Sequence, residues 1–172
     1  MKYRSLVVAI LVFACTSLAA QAPREANSND PSLGTWVLNA QKSKLPGPAP
    51  KTFIERYDLR ADGFFVSTRA IVGGDSSPSF QQLVFKLDGK EYELWDNSTL
   101  SEFLASRKRA PQTLSGKVVD AYTISYEVKQ AGKVVITGTR TISKDGKTMT
   151  FSAKTLSPQR QWIEATAVFD KV

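Results

Sequence analysis

Two segments late in the chain, Lys133-Val-Val-Ile-Thr-Gly-Thr-Arg-Thr-Ile142 and Thr148-Met-Thr-Phe-Ser-Ala-Lys154, alternate apolar and polar positions around a Lys-Asp-Gly-Lys turn at 144–147. Period-two alternation flanking Asp-Gly predicts an antiparallel hairpin, because glycine supplies the positive φ that a tight turn needs. The same pattern predicts further strands at 33–39, 52–59, 64–72, 80–87, 91–95, 113–119, 122–128 and 161–169. Turn signals separate them: Arg60-Ala-Asp-Gly63, a loop at Gly73-Gly-Asp-Ser-Ser-Pro78, Asp88-Gly-Lys90 leading from the fourth strand into the fifth, and Gln130-Ala-Gly132. Lys42-Ser-Lys-Leu-Pro-Gly-Pro-Ala-Pro50 holds three prolines, which lack ladder donors, so it reads as an extended crossing segment.

The pattern changes once. Thr99-Leu-Ser-Glu102 is a capping box, Leu100, Phe103 and Leu104 follow at helical spacing, and Pro111 ends the stretch, which predicts one short helix at 100–108. Its Arg107-Lys-Arg109 tail suits the negative end of a helix dipole. About ten strands in meander order with no βαβ rhythm predict an all-β fold. The expectation is an antiparallel up-and-down β-barrel of about 8–10 strands, since closure removes exposed edges; a two-sheet sandwich is the alternative.

The ends of the chain change the picture. Lys2 and Arg4, the apolar run Leu6 to Ala14, and Ala20-Gln-Ala22 have the order of a secretory signal peptide over residues 1–22. Residues 23–32 then read as a flexible leader and 33–172 as the barrel domain. A secreted or periplasmic location follows, with a lipid anchor through Cys15 as the alternative. No other stretch has the roughly 20 apolar residues of a transmembrane helix. Cleavage removes the only cysteine, and the chain has no histidine. Cys/His zinc clusters, His-activated nucleophiles and histidine switches are thereby excluded, and no calcium-loop motif is present. No cofactor is expected.

Net charge is +7 for the whole chain, and losing Lys2 and Arg4 leaves 21 basic against 16 acidic residues, or +5. That surface favours anionic partners such as an envelope surface or lipid head groups. The charges are dispersed rather than striped among exposed aromatics, so no nucleic acid is expected. Asn97-Ser-Thr99 matches a glycosylation sequon by chance, since Thr99 serves as the helix cap.

Gly34-Thr-Trp-Val-Leu-Asn39, Lys42-Ser-Lys44, the Pro-rich 46–50 and Thr137-Gly-Thr-Arg-Thr-Ile-Ser-Lys-Asp-Gly-Lys-Thr148 together resemble bacterial secreted lipocalin-like proteins of the calycin type. That resemblance runs over nearly the whole mature chain. The T-D-Y-like triplet and C-terminal helix of lipocalins proper are not evident. The resemblance implies that Trp36, beside Gly34, plugs the closed end under a basic side chain from a late strand. Arg140 is the first choice for that cap and Lys154 the second; a cation over an indole contributes about 0.5–2 kcal/mol.

Three functional readings follow. The favoured one is a binding module for a small hydrophobic or amphipathic ligand, lined by Phe64, Val66, Leu83, Phe85, Tyr122, Ile124, Tyr126, Met149 and Phe151. Arg69 shares a face with Phe65 and Ile71; turned inward it would clamp a carboxylate, and it is expected instead to be solvated. The second reading is an envelope interaction protein working through its outer surface. The third is a barrel isomerase or cyclase without His or Cys. Its candidate pairs, Glu91 with Glu93 and Glu127 with Lys129, have the spacing of exposed strand positions.

Overall fold

The computed structural model describes residues 29–73, 79–94 and 112–172. The expected signal peptide at 1–22 with Cys15, residues 23–28 of the expected leader, the sequon, and the helix at 100–108 with its basic tail lie outside those residues. Ten strands form one antiparallel sheet: β1 (Gly34–Leu38), β2 (Thr52–Leu59), β3 (Phe65–Val72), β4 (Ser79–Phe85), β5 (Asp88–Glu93), β6 (Gln112–Val118), β7 (Thr123–Gln130), β8 (Lys133–Ile142), β9 (Thr148–Leu156) and β10 (Trp162–Lys171). Their order is β4-β3-β2-β1-β10-β9-β8-β7-β6-β5. Every neighbouring pair is a hairpin in sequence except β1 with β10, so the first and last strands join the two halves into a nearly closed, up-and-down barrel.

The sheet edges are β4 and β5, which corrects the expected turn between them. Asp88-Gly-Lys90 opens β5, where the β5–β6 register shifts between Asp88 and Glu91 and Gly89 takes φ +78°. The Asp-Gly signal marks a bulge here; a bulge needs the same positive-φ glycine as a hairpin turn, so the dipeptide alone does not distinguish them. The crossing segment lies against β10, with Lys44 bridging to Thr166 and Ser43 Oγ accepting from the Val168 amide at 2.9 Å. Val168, on the opposite face of β10 from Phe169, is buried beside it.

One end of the barrel is filled. Trp36, Met149, Ile142 and Phe169 form its core with Tyr57 and Phe65 above them. Trp36 is 0% exposed, and its indole N–H donates to the Ser32 carbonyl at 2.8 Å. The cation over its ring is Lys171, 5.0 Å from the centroid, and not Arg140 or Lys154. Register explains the correction: Lys171 is the β10 residue paired with Trp36, whereas Arg140 lies two strands beyond β10 and Lys154 is paired outside with Glu164. Gly34 sits at φ +112°, and a Cβ there would come within 3.1 Å of Lys171 Cε. The glycine thus permits both the backbone conformation and the lysine's approach.

Trp36→Ala is expected to lower stability by about 3–5 kcal/mol, the usual range for truncating a buried tryptophan. Urea titration checks this; a loss below about 1 kcal/mol would mean that the indole does not carry the closed end.

Candidate functional site

Above the filled end the barrel encloses a cavity of about 390 Å³. Leu83, Phe85, Leu114, Ile124, Val128, Ile136 and Phe151 supply its apolar wall. Tyr57, Arg69, Tyr126 and Arg140 are the larger polar side chains on it, and Gln81 and Gln112 lie toward the open end. Aromatic rings run from the core into the wall: Phe169 meets Phe151 edge-on at 5.8 Å, and Phe151 meets Tyr126 at 6.1 Å.

Five of the nine side chains expected to line a site are on this wall: Leu83, Phe85, Ile124, Tyr126 and Phe151. Four are elsewhere. Phe64 packs edge-on against Tyr92 at 5.7 Å with Lys86 over its ring. Val66 is on the outer face of β3, paired with Val84. Tyr122 precedes β7 in a turn and is exposed, and Met149 is buried in the closed-end core. The β3 error has a definite cause. Both faces of 64–72 carry apolar residues, so alternation alone leaves the inner one undecided. The five-residue turn 60–64, closed by the Arg60 amide on the Phe64 carbonyl, sets Leu59 opposite Phe65. Phe65, Ser67 and Arg69 therefore share the inner face with Glu55 and Tyr57 of β2. Arg56 and Asp58, outside, hold each other at 2.7 Å. The charged outer face of β2, combined with that turn length, is the signal that would have found Tyr57 and Arg69.

Arg69 is thus turned inward, with its side chain 27% exposed. Its Nε donates to Glu55 Oε1 at 2.8 Å, and the same oxygen accepts from Tyr57 OH at 2.6 Å and Ser67 Oγ at 2.8 Å. Glu55 is 1% exposed, so its charge is tolerated only because these donors and the guanidinium compensate it. Burial alone would lower the Arg69 pKa, and the adjacent Glu55 charge raises it overall. Burial pushes the Tyr57 phenol up, with Glu55 adding to it. Tyr126 is pushed up to about 12 by burial, with Arg69 opposing and Glu55 reinforcing. Both phenols consequently keep their protons at neutral pH and remain donors.

Arg140 is different. It is 3% exposed, it lines the cavity, and its guanidinium carbon sits 4.3 Å from the Tyr57 ring centroid. Among the described residues no carboxylate pairs with it. The Thr137-Gly-Thr-Arg140 run explains its placement, because Gly138 and Arg140 alternate on the inner face of β8. Gly138 lies opposite Tyr126 on β7 and Ala153 on β9, and a Cβ there would meet the Ser152 carbonyl oxygen and the Tyr126 hydroxyl. Gly116, opposite Tyr126 on its other side, would likewise drive a Cβ to 2.9 Å from Leu87 Cδ2. Gly138 thus makes room for the Tyr126 hydroxyl, and Gly116 for the Leu87 side chain. No group of three or more potential metal ligands occurs among the described residues.

Glu55→Gln is expected to cost about 3 kcal/mol, because it leaves Arg69 without its buried counter-charge. Adding Arg69→Met should restore much of that loss; in a urea double-mutant cycle, simple additivity of the two changes would refute the coupling. Gly138→Ala is expected to destabilise by about 1–3 kcal/mol through overpacking, and an unchanged thermal midpoint would show that the β8–β9 contact yields freely.

Comparison with known proteins places the fold. No protein-family profile matches the chain. A curated relative, the matrix protein of infectious hematopoietic necrosis virus (strain WRAC), is 32% identical over 123 residues. That alignment covers 70% of this chain, and the chain spans only 58% of that protein's length. Among solved structures, wild-type fluorescent protein UnaG superposes with a TM-score of 0.55 at 18% identity, covering 81% of this chain and 96% of UnaG. Fatty-acid-binding protein 1 of Echinococcus granulosus gives 0.56 at 12% identity, covering 83% and 98%. The extracellular fatty acid binding protein As-p18 gives 0.50 at 12%, covering 83% and 97%. The chain's ten-stranded, nearly closed β-barrel therefore has the fold of these structures.

Proposed function

We propose that the protein binds one small amphipathic molecule, with an apolar body and a singly charged acidic head, inside the barrel. The observation that carries this reading is Arg140, a buried guanidinium on the wall of a largely apolar cavity, with no carboxylate partner among the described residues. An uncompensated buried charge costs several kcal/mol, and an anionic head group would compensate it. Arg69 is already matched by Glu55, so one positive charge is left over, which favours a monoanion. The protonated Tyr126 hydroxyl, also on the wall, is suited to donate to the same head. The cavity of about 390 Å³ falls inside the roughly 300–1,000 Å³ of small-molecule pockets. Solved structures of the same fold include fatty-acid-binding proteins, which is consistent with this ligand class. The apolar leader at 1–22 supports a secreted or periplasmic place of action, with attachment through Cys15 as the alternative.

Calorimetric titration with palmitate and with hexadecanol tests the reading. Palmitate should bind, and Arg140→Gln should weaken it by about tenfold or more, the equivalent of one charge-assisted hydrogen bond at about 1.5–3 kcal/mol. Hexadecanol affinity should be nearly unchanged by that substitution. Equal affinities for acid and alcohol in the parent protein, or palmitate binding indifferent to Arg140→Gln, would refute the acidic-head reading. The ligand-free Arg140→Met protein should melt no lower than the parent, since it loses a buried charge and keeps an apolar stem.

A further inference from the structure

We infer that Tyr57 is the positioning residue of the cavity: fixed from behind by Glu55, its ring holds the Arg140 guanidinium on the cavity wall, where an acidic head group can meet it. The guanidinium carbon of Arg140 lies 4.3 Å from the Tyr57 ring centroid. Tyr57 is on β2 and Arg140 on β8, with β1, β10 and β9 between them around the sheet. The contact therefore spans the barrel interior and does not follow from strand pairing. Both side chains line the cavity, and both are buried. A cation is drawn to the face of an aromatic ring, more strongly where water is excluded.

Arg140 has a second place to go. It also borders a space of about 10 Å³ at the closed end, together with Asp30 and Asp120. Asp30 accepts from the Ser32 amide at 2.9 Å and hydroxyl at 2.6 Å, and Asp120 from the Tyr122 amide at 2.8 Å. Each carboxylate still has acceptor sites to spare. A guanidinium pairs with a carboxylate strongly, and such a pair would neutralise the charge that the cavity offers. Arginine has large rotamer freedom, so its own chain does not choose between the two sides. The Tyr57 ring makes that choice.

The ring is itself held. Tyr57 OH donates to Glu55 Oε1 at 2.6 Å, and the same oxygen accepts from Ser67 Oγ and Arg69 Nε, each at 2.8 Å. A buried phenol bonded at its tip cannot shift its face without stranding a polar group, which is costly. This arrangement gives the buried Glu55–Arg69 pair a purpose. Such pairs are weak sources of stability, since apolar side chains of similar volume often serve as well. Here the pair anchors a rigid unit on β2 and β3 whose face toward the cavity is the ring under Arg140. The placement of Arg140 stands on these contacts alone; its benefit to an acidic ligand rests on the proposed function.

Two variants separate the ring from its hydroxyl: Tyr57→Leu removes both, and the nearly isosteric Tyr57→Phe removes the hydroxyl alone. The first readout needs no ligand. The Arg140 Nε–H resonance, assigned by its loss in Arg140→Gln, should lie upfield in the parent protein, because the guanidinium sits over a ring. It should return toward the position of a free arginine in Tyr57→Leu and move part of the way in Tyr57→Phe. The second readout is the preference for palmitate over hexadecanol in calorimetry. It should fall about tenfold in Tyr57→Leu, within the range of one cation–ring contact, and about threefold in Tyr57→Phe, as for one neutral hydrogen bond. A merely structural role would weaken acid and alcohol alike and leave their ratio unaltered. An Arg140 resonance unmoved by Tyr57→Leu would overturn the positioning role. So would an unaltered ratio in Tyr57→Leu when Arg140→Gln abolishes it. A parent protein without preference for the acid sinks the ligand reading alone, and the resonance still decides what holds Arg140. Tyr57→Phe identical to the parent in both readouts would overturn the part assigned to Glu55.

Discussion

The short ladder between the first and last strands is the constraint on which the rest of the structure depends. Trp36, Val37 and Leu38 pair with Lys171, Asp170 and Phe169, and this contact joins a three-strand half, β2 to β4, to a five-strand half, β5 to β9. Every other neighbouring pair could form as a local hairpin. Without β1 between β2 and β10 there would be two open sheets with apolar inner faces and no enclosed volume. The buried indole adds side-chain packing to a ladder of only three residue pairs, and Lys171 over its ring couples the end of the chain to its first strand.

Closure also decides the electrostatics of the interior. Glu55, Tyr57, Ser67 and Arg69 come from one half; Tyr126 and Arg140 come from the other. Within the first half the charges match, through one carboxylate oxygen that accepts three hydrogen bonds. The second half adds a guanidinium that rests on the Tyr57 ring. The stacking on tyrosine softens the cost of burying Arg140 without cancelling its charge. A cavity with apolar walls and one surplus cation is the outcome, and neither half would produce it alone.

The two ends of the barrel then differ in kind. The closed end is packed with aromatic and aliphatic side chains, and its connections carry aspartates and basic side chains side by side. The open end carries glutamines at the cavity, and exposed apolar side chains such as Phe80 and Trp162 beyond it. The gap between β4 and β5 lies along the wall between these ends, where the ladder is interrupted and β5 begins with a bulge.

Alternation and turn chemistry were enough to locate ten strands and the order of the meander, because these depend on neighbours within a few residues; the burial of Trp36 was expected from the resemblance carried by Gly34-Thr-Trp36. Ile124, Tyr126 and Phe151 face the cavity as alternation suggested, since 122–128 and 148–154 have one distinctly more apolar face. The inner face of β3 was not legible in that way: Phe64 and Val66 compete evenly with Phe65 and Ile71, and only pairing with β2 across a turn of fixed length breaks the tie. The cation above Trp36 and the missing ladder between β4 and β5 likewise depend on strand order around the closed sheet. A period of two says that alternate side chains share a face; which face is inside, and which distant residues meet there, is decided only when the barrel closes.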